Sequence, residues 1–83
     1  MSGERADVKE MLAIAVRAFV DHPDQVSVSR VRKQDSTILE LKVAPGDLGR
    51  VIGRQGRTAR ALRALVSLAG EKLNERLHLQ ILD

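Results

Sequence analysis

Two glycines three positions apart, Gly53 and Gly56, interrupt a stretch whose apolar spacing is helical on both sides. Glycine tolerates positive φ, which a tight reversal between two helices requires, and its missing Cβ lets another backbone approach closely. The sequence from Gly53 to Gly56 therefore predicts a short loop that joins two helices. The start of the second helix then presents unpaired amides and the positive end of the helix dipole, both of which attract phosphate groups.

The charge distribution gives the same stretch an anion-binding character. The net charge of the 83 residues is only +3, but between Leu48 and Gly70 there are five arginines and no acidic residue. The rest of the chain has nine basic and eleven acidic residues, so the positive charge is concentrated in this segment. Such a distribution is typical of an anion-binding site. The five arginines are Arg50, Arg54, Arg57, Arg60 and Arg63.

The positions of these arginines relative to the loop indicate a phosphate grip. Arg54 is inside the loop and Arg50 lies one helical turn before it, while the other three recur along the second helix, each about 60° around from the last. A guanidinium group matches phosphate oxygens with paired donors. Val51 and Ile52 offer apolar surface beside the loop. A single nucleic-acid strand needs positive charge to bind its phosphate backbone and, beside it, an apolar surface to contact its bases.

Hydrophobic periodicity around the loop predicts an α+β domain with the element order α-β-β-α-α-β and a three-stranded sheet that has its helices packed on one face. The phase of the first strand slips between Val28 and Val31, which predicts a bulge or an early strand end. Residues 1–6 are predicted to be disordered, within one domain that spans the chain. The predicted elements are a helix over 7–21, strands over 26–32 and 37–43, a short helix over 48–52 with Asp47 as N-cap, a long helix over 57–75 and a strand over 77–81.

Two of these elements carry a clear burial pattern. In the second strand, Leu39, Leu41 and Val43 are predicted to point to one side of the sheet, with Ile38, Glu40 and Lys42 on the other. Phe19, the only aromatic residue, is predicted to join the core. The predicted buried stripe of the long helix is Leu62, Leu65, Val66, Ala69 and Leu73.

Composition excludes most catalytic classes. The chain has no cysteine and two histidines, so no thiolate metal site, Cys–His pair or Ser–His–Asp set can be assembled. His22 and His78 have no metal-ligand spacing and are predicted to be solvated. The glycine loop lacks the spacing and lysine of a nucleotide-binding P-loop. We expect no catalytic residue, metal, cofactor, small-molecule substrate or membrane segment, and a cytoplasmic location.

The segment from Val51 to Gly56, Val-Ile-Gly-Arg-Gln-Gly, resembles the VIGxxG signature of KH domains, whose GxxG loop clamps the backbone of about four nucleotides. The element order is similar to the type II arrangement of that fold. Most of the chain, roughly residues 8–82, resembles the small bacterial KhpA (YlqC-like) family. The resemblance extends over 20–28, 40–44 and 47–59.

The resemblance implies a protein that binds single-stranded RNA with little sequence specificity, acting as an RNA chaperone or post-transcriptional regulator. It implies a homodimer, or a heterodimer with a KhpB (Jag/EloR-like) protein. It also implies that Leu41 and Val43 wall a base-binding groove together with Val51 and Ile52. The predicted RNA-binding residues are Gly53, Arg54, Gln55, Gly56, Arg57, Arg50, Arg60, Val51 and Ile52.

Two alternatives remain open at this point. The loop could be an ordinary connection between helices, and the arginine stripe could be a solvated helix face. The chain could also act mainly as a protein–protein module, with RNA binding weak or supplied by a partner. Leu68 and Ala64, which lie outside the predicted core stripe, suit such a role.

Overall fold

The computed structural model describes residues 7–83, so the predicted disordered N-terminus, 1–6, lies outside the described residues. The elements follow the predicted order α-β-β-α-α-β, which confirms an α+β domain with a three-stranded sheet. Short 3₁₀ turns at Pro23–Gln25, Pro45–Asp47 and Arg54–Gly56 join some of them. The elements are α1 (Val8–Arg17), β1 (Ser27–Arg32), β2 (Thr37–Lys42), α2 (Leu48–Ile52), α3 (Arg57–Leu73) and β3 (Leu77–Ile81).

Helix α1 begins with a side-chain cap and is shorter than predicted. The Asp7 carboxylate accepts hydrogen bonds from the amides of Lys9 and Glu10, at 3.1 and 3.4 Å, because the first amides of a helix have no partner within it. The helix ends at Arg17 and not at Asp21. The amides of Asp21 and His22 bind a side chain elsewhere in the fold, which prevents them from continuing the helix.

The sheet has the order β1-β2-β3, with β2 in the centre. Strands β1 and β2 pair antiparallel, one residue to one, from Ser27 with Lys42 to Arg32 with Thr37. The predicted bulge or early end in β1 is therefore wrong: the strand stays in register, and the apolar pattern slips because this edge strand is only partly covered. Strands β2 and β3 pair parallel, and the two helices between them provide the long crossover that a parallel pair needs.

The core lies between the helices and one face of the sheet. Leu39 and Leu41 of β2 are fully buried there and Val43 is nearly so, while Lys42 is exposed on the other face, which confirms the predicted alternation. Phe19 is half-buried against this core. Among residues 7–83, no helix combines the length and apolar character needed to cross a membrane. The buried residues contributed by helices α1 and α3 are Val8, Leu12, Ala13, Val16, Ala59, Leu62, Val66 and Gly70.

The buried stripe of α3 differs from the prediction at Leu65, which is 37% exposed. Leu65 and Val66 are adjacent, and the stripe passes through Val66, so Leu65 lies at its edge. The helix continues without a break through Gly70, where a Cβ would stand 2.6 Å from the Glu75 carbonyl oxygen. It ends at Leu73, two residues earlier than predicted, because Asn74 adopts the left-handed conformation and the Glu75 amide turns back to the Gly70 carbonyl, at 2.8 Å.

Candidate nucleic-acid interface

The loop from Gly53 to Gly56 makes the sharp connection that the glycines predict. Gly53 has φ 78° and ψ 169°, Gln55 has φ 57°, and Gly56 has φ 74°. Two backbone bonds close the turn: the Gly53 amide donates to the Gly49 carbonyl at 2.9 Å, and the Gly56 amide donates to the Gly53 carbonyl at 3.0 Å. These bonds fix where α2 ends and α3 begins.

The two glycines are needed for different reasons. A Cβ on Gly53 would touch the Thr58 side chain and lie 2.9 Å from the Thr58 amide nitrogen, so this position requires the missing side chain as well as positive φ. At Gly56 the nearest atom to such a Cβ is the Arg60 Nη1, 3.5 Å away, which is ordinary contact. Gly56 is therefore required by its backbone conformation alone.

The outer surface of the loop is free for a ligand. The side chains of Arg54, Gln55 and Arg57 are exposed. Outside the helices and strands of residues 7–83, none of the backbone hydrogen bonds uses the amide of Arg54 or Gln55 as donor. Gly53 breaks the helix and Arg54 begins a new helical segment, whose first amides have no partner within it and can therefore bind an anion beside the cationic side chains.

A groove of about 370 Å³ leads away from the loop between α2, α3 and the end of β3. Its surface is apolar near Ile52 and Ile81, and basic at Arg60 and Arg63. A backbone held at the loop would therefore place its bases against an apolar surface. The groove is lined by Leu48, Ile52, Gly56, Ala59, Arg60, Arg63, Ile81 and Asp83.

Some of the residues predicted to contact RNA do not line the groove. Val51 is fully buried in the core, because of two adjacent apolar residues in a short helix only one can face inward, so its predicted contact with RNA is wrong. Leu41 and Val43 are likewise buried and do not wall the groove. Ile81 of β3 takes that place. Ile81 alternates with Leu77 and Leu79 along β3, which places all three on the helix side of the sheet. This alternation is the sequence pattern from which the position of Ile81 could have been predicted.

The arginines fall into two groups. Arg50 pairs with Asp21, with 3.5 Å between Nη2 and Oδ2, and both side chains are more than half exposed. Exposed pairs of this kind are weak, so a phosphate can compete for the guanidinium. Within residues 7–83, no carboxylate lies within 4.0 Å of the guanidinium of the remaining four. Those four are Arg54, Arg57, Arg60 and Arg63.

Asp47, predicted to cap α2, makes no side-chain hydrogen bond to that helix. Its carboxylate is 1% exposed and accepts from the amides of Asp21 and His22, at 3.2 and 2.9 Å. The Nδ1 atom of the His22 ring lies 3.1 Å from the same carboxylate, so His22 is not simply solvated as predicted. Burial alone would raise the pKa of Asp47, but these hydrogen bonds and the nearby imidazole outweigh it and lower the pKa below its usual value.

Comparison with known proteins shows the family to which the chain belongs. Residues 9–81 match the family model described as KhpA/KhpB, KH domain. The match covers both helices that flank the loop, the whole sheet and all but one of the residues that line the groove.

Several curated relatives are similar over nearly their whole length. One from Clostridium acetobutylicum is 47% identical over 75 residues, which is 90% of this chain and 100% of the relative. One from Halalkalibacterium halodurans is 46% identical over 92% of this chain and 100% of its own. One from Borreliella burgdorferi is 43% identical over 89% and 90% respectively. Each of the three bears the name RNA-binding protein KhpA.

Proposed function

The chain belongs to the KhpA/KhpB family of KH domains, and on this premise we propose that it binds single-stranded RNA by holding the sugar-phosphate backbone at the Gly53–Gly56 loop. RNA binding itself follows from the family. The assignment of the loop as the grip is specific to this proposal, as is the role of a post-transcriptional regulator or RNA chaperone.

The observation that carries the proposal is the continuity between the loop and the groove. Gly56 belongs to both: it ends the turn in which Arg54 and Gln55 begin a new helical segment, and it lines the groove that continues to Ile52 and Ile81. Phosphates bound at the loop would direct the attached bases into an apolar channel whose edges are basic. The scaffold supplies binding and orientation, so we propose no catalytic step.

A double substitution with a matched control tests the grip. Arg54→Asp with Gln55→Asp places two carboxylates at the open amides, and we expect RNA binding to be abolished with the circular dichroism spectrum unchanged. The control is Lys33→Asp with Gln34→Asp, which makes the same charge change on exposed residues of the β1–β2 turn. If both variants lose affinity equally, the loop is not the site and the effect is general electrostatics.

A second role is supported by the exposed side of α3. Leu68 is 63% exposed and Leu65 is 37% exposed, and together with the exposed Ala61 and Ala64 they form an apolar stripe along the helix. We propose that this stripe pairs with a second copy of the chain or with a KhpB-type (Jag/EloR-like) partner. Because none of these four residues lines the groove, pairing through the stripe would leave the groove open to RNA.

Light scattering after size exclusion distinguishes this role. We expect Leu68→Glu to shift the chain toward the monomer, with or without RNA. Ile14→Glu, on the exposed side of α1 at 58% exposure, is the matched control and should leave the mass unchanged. A wild-type chain that stays monomeric at all concentrations, alone and with RNA, leaves only pairing with another protein.

An RNA ligand supports a cytoplasmic location, which cell fractionation checks.

A further inference from the structure

The buried carboxylate of Asp47 lies outside the groove and connects the start of α2 to the segment that follows α1. Asp47 and Thr37 are the buried polar residues among those described, and Asp47 is the charged one. All three of its hydrogen bonds come from Asp21 and His22, the residues that follow α1, and none comes from the helix it precedes. A carboxylate that accepts two backbone amides and a ring nitrogen holds its partner segment in a defined position.

The position of Asp47 along the chain connects this contact to the loop. Asp47 directly precedes α2, which has five residues, a length of about 7.5 Å. The Gly53 amide that closes the loop is bonded to Gly49, within the first turn of the same helix. A rotation of α2 at its first residue therefore reaches the loop almost undiminished, because nothing between the two ends can absorb it.

Apolar contacts anchor only one face of α2. Val51 is its one fully buried side chain and Leu48 packs partly against the core, so one face of this short helix is anchored while Asp47 supplies the hydrogen bonds at its start. Gly49 has no atom near the position of a Cβ, so that side is not packed. The exposed pair between Arg50 and Asp21 adds a second but weaker link to the same turn.

We propose that Asp47 is a positioning residue for RNA binding: by holding the turn at Asp21 and His22 it fixes the tilt of α2 and thereby the direction in which the Arg54 and Gln55 amides point. The proposal rests on the proposed function of the loop. It assigns no contact between Asp47 and RNA, since the carboxylate is buried and lies outside the residues that line the groove.

Asp47→Asn tests this role, because the amide has nearly the same shape but loses the charge and one acceptor. We expect RNA affinity to fall by about tenfold at a temperature where the variant is folded. We also expect the amide resonances of Arg54 and Gln55 to move in the RNA-free protein. Leu77→Ala is the control: it removes a core contact at the opposite end of β3, next to Thr37, and should lower stability without either effect.

A second variant and the RNA affinity of the control decide the cases that Asp47→Asn alone leaves open. If Asp47→Asn does not fold, His22→Ala removes only the ring contact of a half-exposed residue and keeps both backbone bonds. It should shift the same two amides and weaken RNA binding by a smaller factor, about twofold. Loop resonances that match those of Leu77→Ala in Asp47→Asn, or in His22→Ala where Asp47→Asn does not fold, would overturn the positioning role. If the wild-type protein and Leu77→Ala fail to bind RNA, the function of the loop is wrong, while the resonances still decide the role of Asp47.

Discussion

Thr58 packs against the α-carbon of Gly53 so closely that a methyl group there would lie 2.8 Å from the Thr58 Cβ. Gly53 also has a combination of φ and ψ that glycine alone adopts without strain. The first turn of α3 therefore rests on the residue that ends α2, and the loop keeps its shape through this contact before any ligand is bound.

Gly53→Ala is expected to destabilise the protein by about 1–3 kcal/mol from backbone strain, with the clash against Thr58 in addition. Gly56→Ala should cost less, about 1–2 kcal/mol, because only the left-handed conformation is unfavourable there. Urea unfolding measures both. Gly49→Ala is the control: it lies within α2 with open space around it and should be neutral or stabilising by up to about 1 kcal/mol. Equal losses at all three glycines would contradict this account.

The electrostatic part of RNA binding is expected to depend on salt. If about three to five arginines meet phosphates, log K should fall against log salt with a slope of roughly −2 to −3.5 for a single strand. Fluorescence anisotropy with a labelled oligonucleotide measures it. Replacing Arg57 by Gln should reduce the steepness by about 0.7, whereas Arg17→Gln on α1 should not change it. A slope near zero would rule out the phosphate grip.

The apolar part of the groove should behave differently. Ile52→Ala removes surface that lines the groove, so we expect affinity to fall about threefold to fivefold with an unchanged salt slope, since no charge is altered. Ile14→Ala is the matched control, because Ile14 is exposed on α1 and absent from the groove. A change of slope in Ile52→Ala would mean that the side chain acts through the arginines.

Asp47 should make stability depend on pH in the acid range. Its pKa is lowered in the folded protein, so the folded state binds the proton less readily than the unfolded chain. The stabilisation is then complete above the unfolded value of about 3.9 and is lost as the pH falls through the folded pKa. Thermal unfolding from about pH 7 to about pH 2.5 measures this loss. Asp47→Asn should have a lower melting temperature at neutral pH and a smaller decline in acid.

The sequence predicted most of the fold because its signals were local. Alternation placed Leu39 and Leu41 inward, and two glycines marked the loop. It did not separate Val51 from Ile52 or Leu65 from Val66, because adjacent apolar residues on a helix differ by only 100° and the neighbouring elements decide which one is covered. The role of Asp47 could not be predicted either. Its partners precede it by 25 and 26 residues, and as a neighbour of a helix start it looked like a cap.

The parallel pairing of β2 with β3 has a consequence for the timing of activity. Both helices that frame the loop lie within the crossover between these strands, and Ile81 of the last strand lines the groove. Contacts between strands far apart in sequence form late in folding. A chain in which β3 is not yet paired with β2 can form the glycine turn, but it lacks the wall of the groove that Ile81 supplies. We therefore expect such a partly folded chain to bind RNA less tightly than the folded domain.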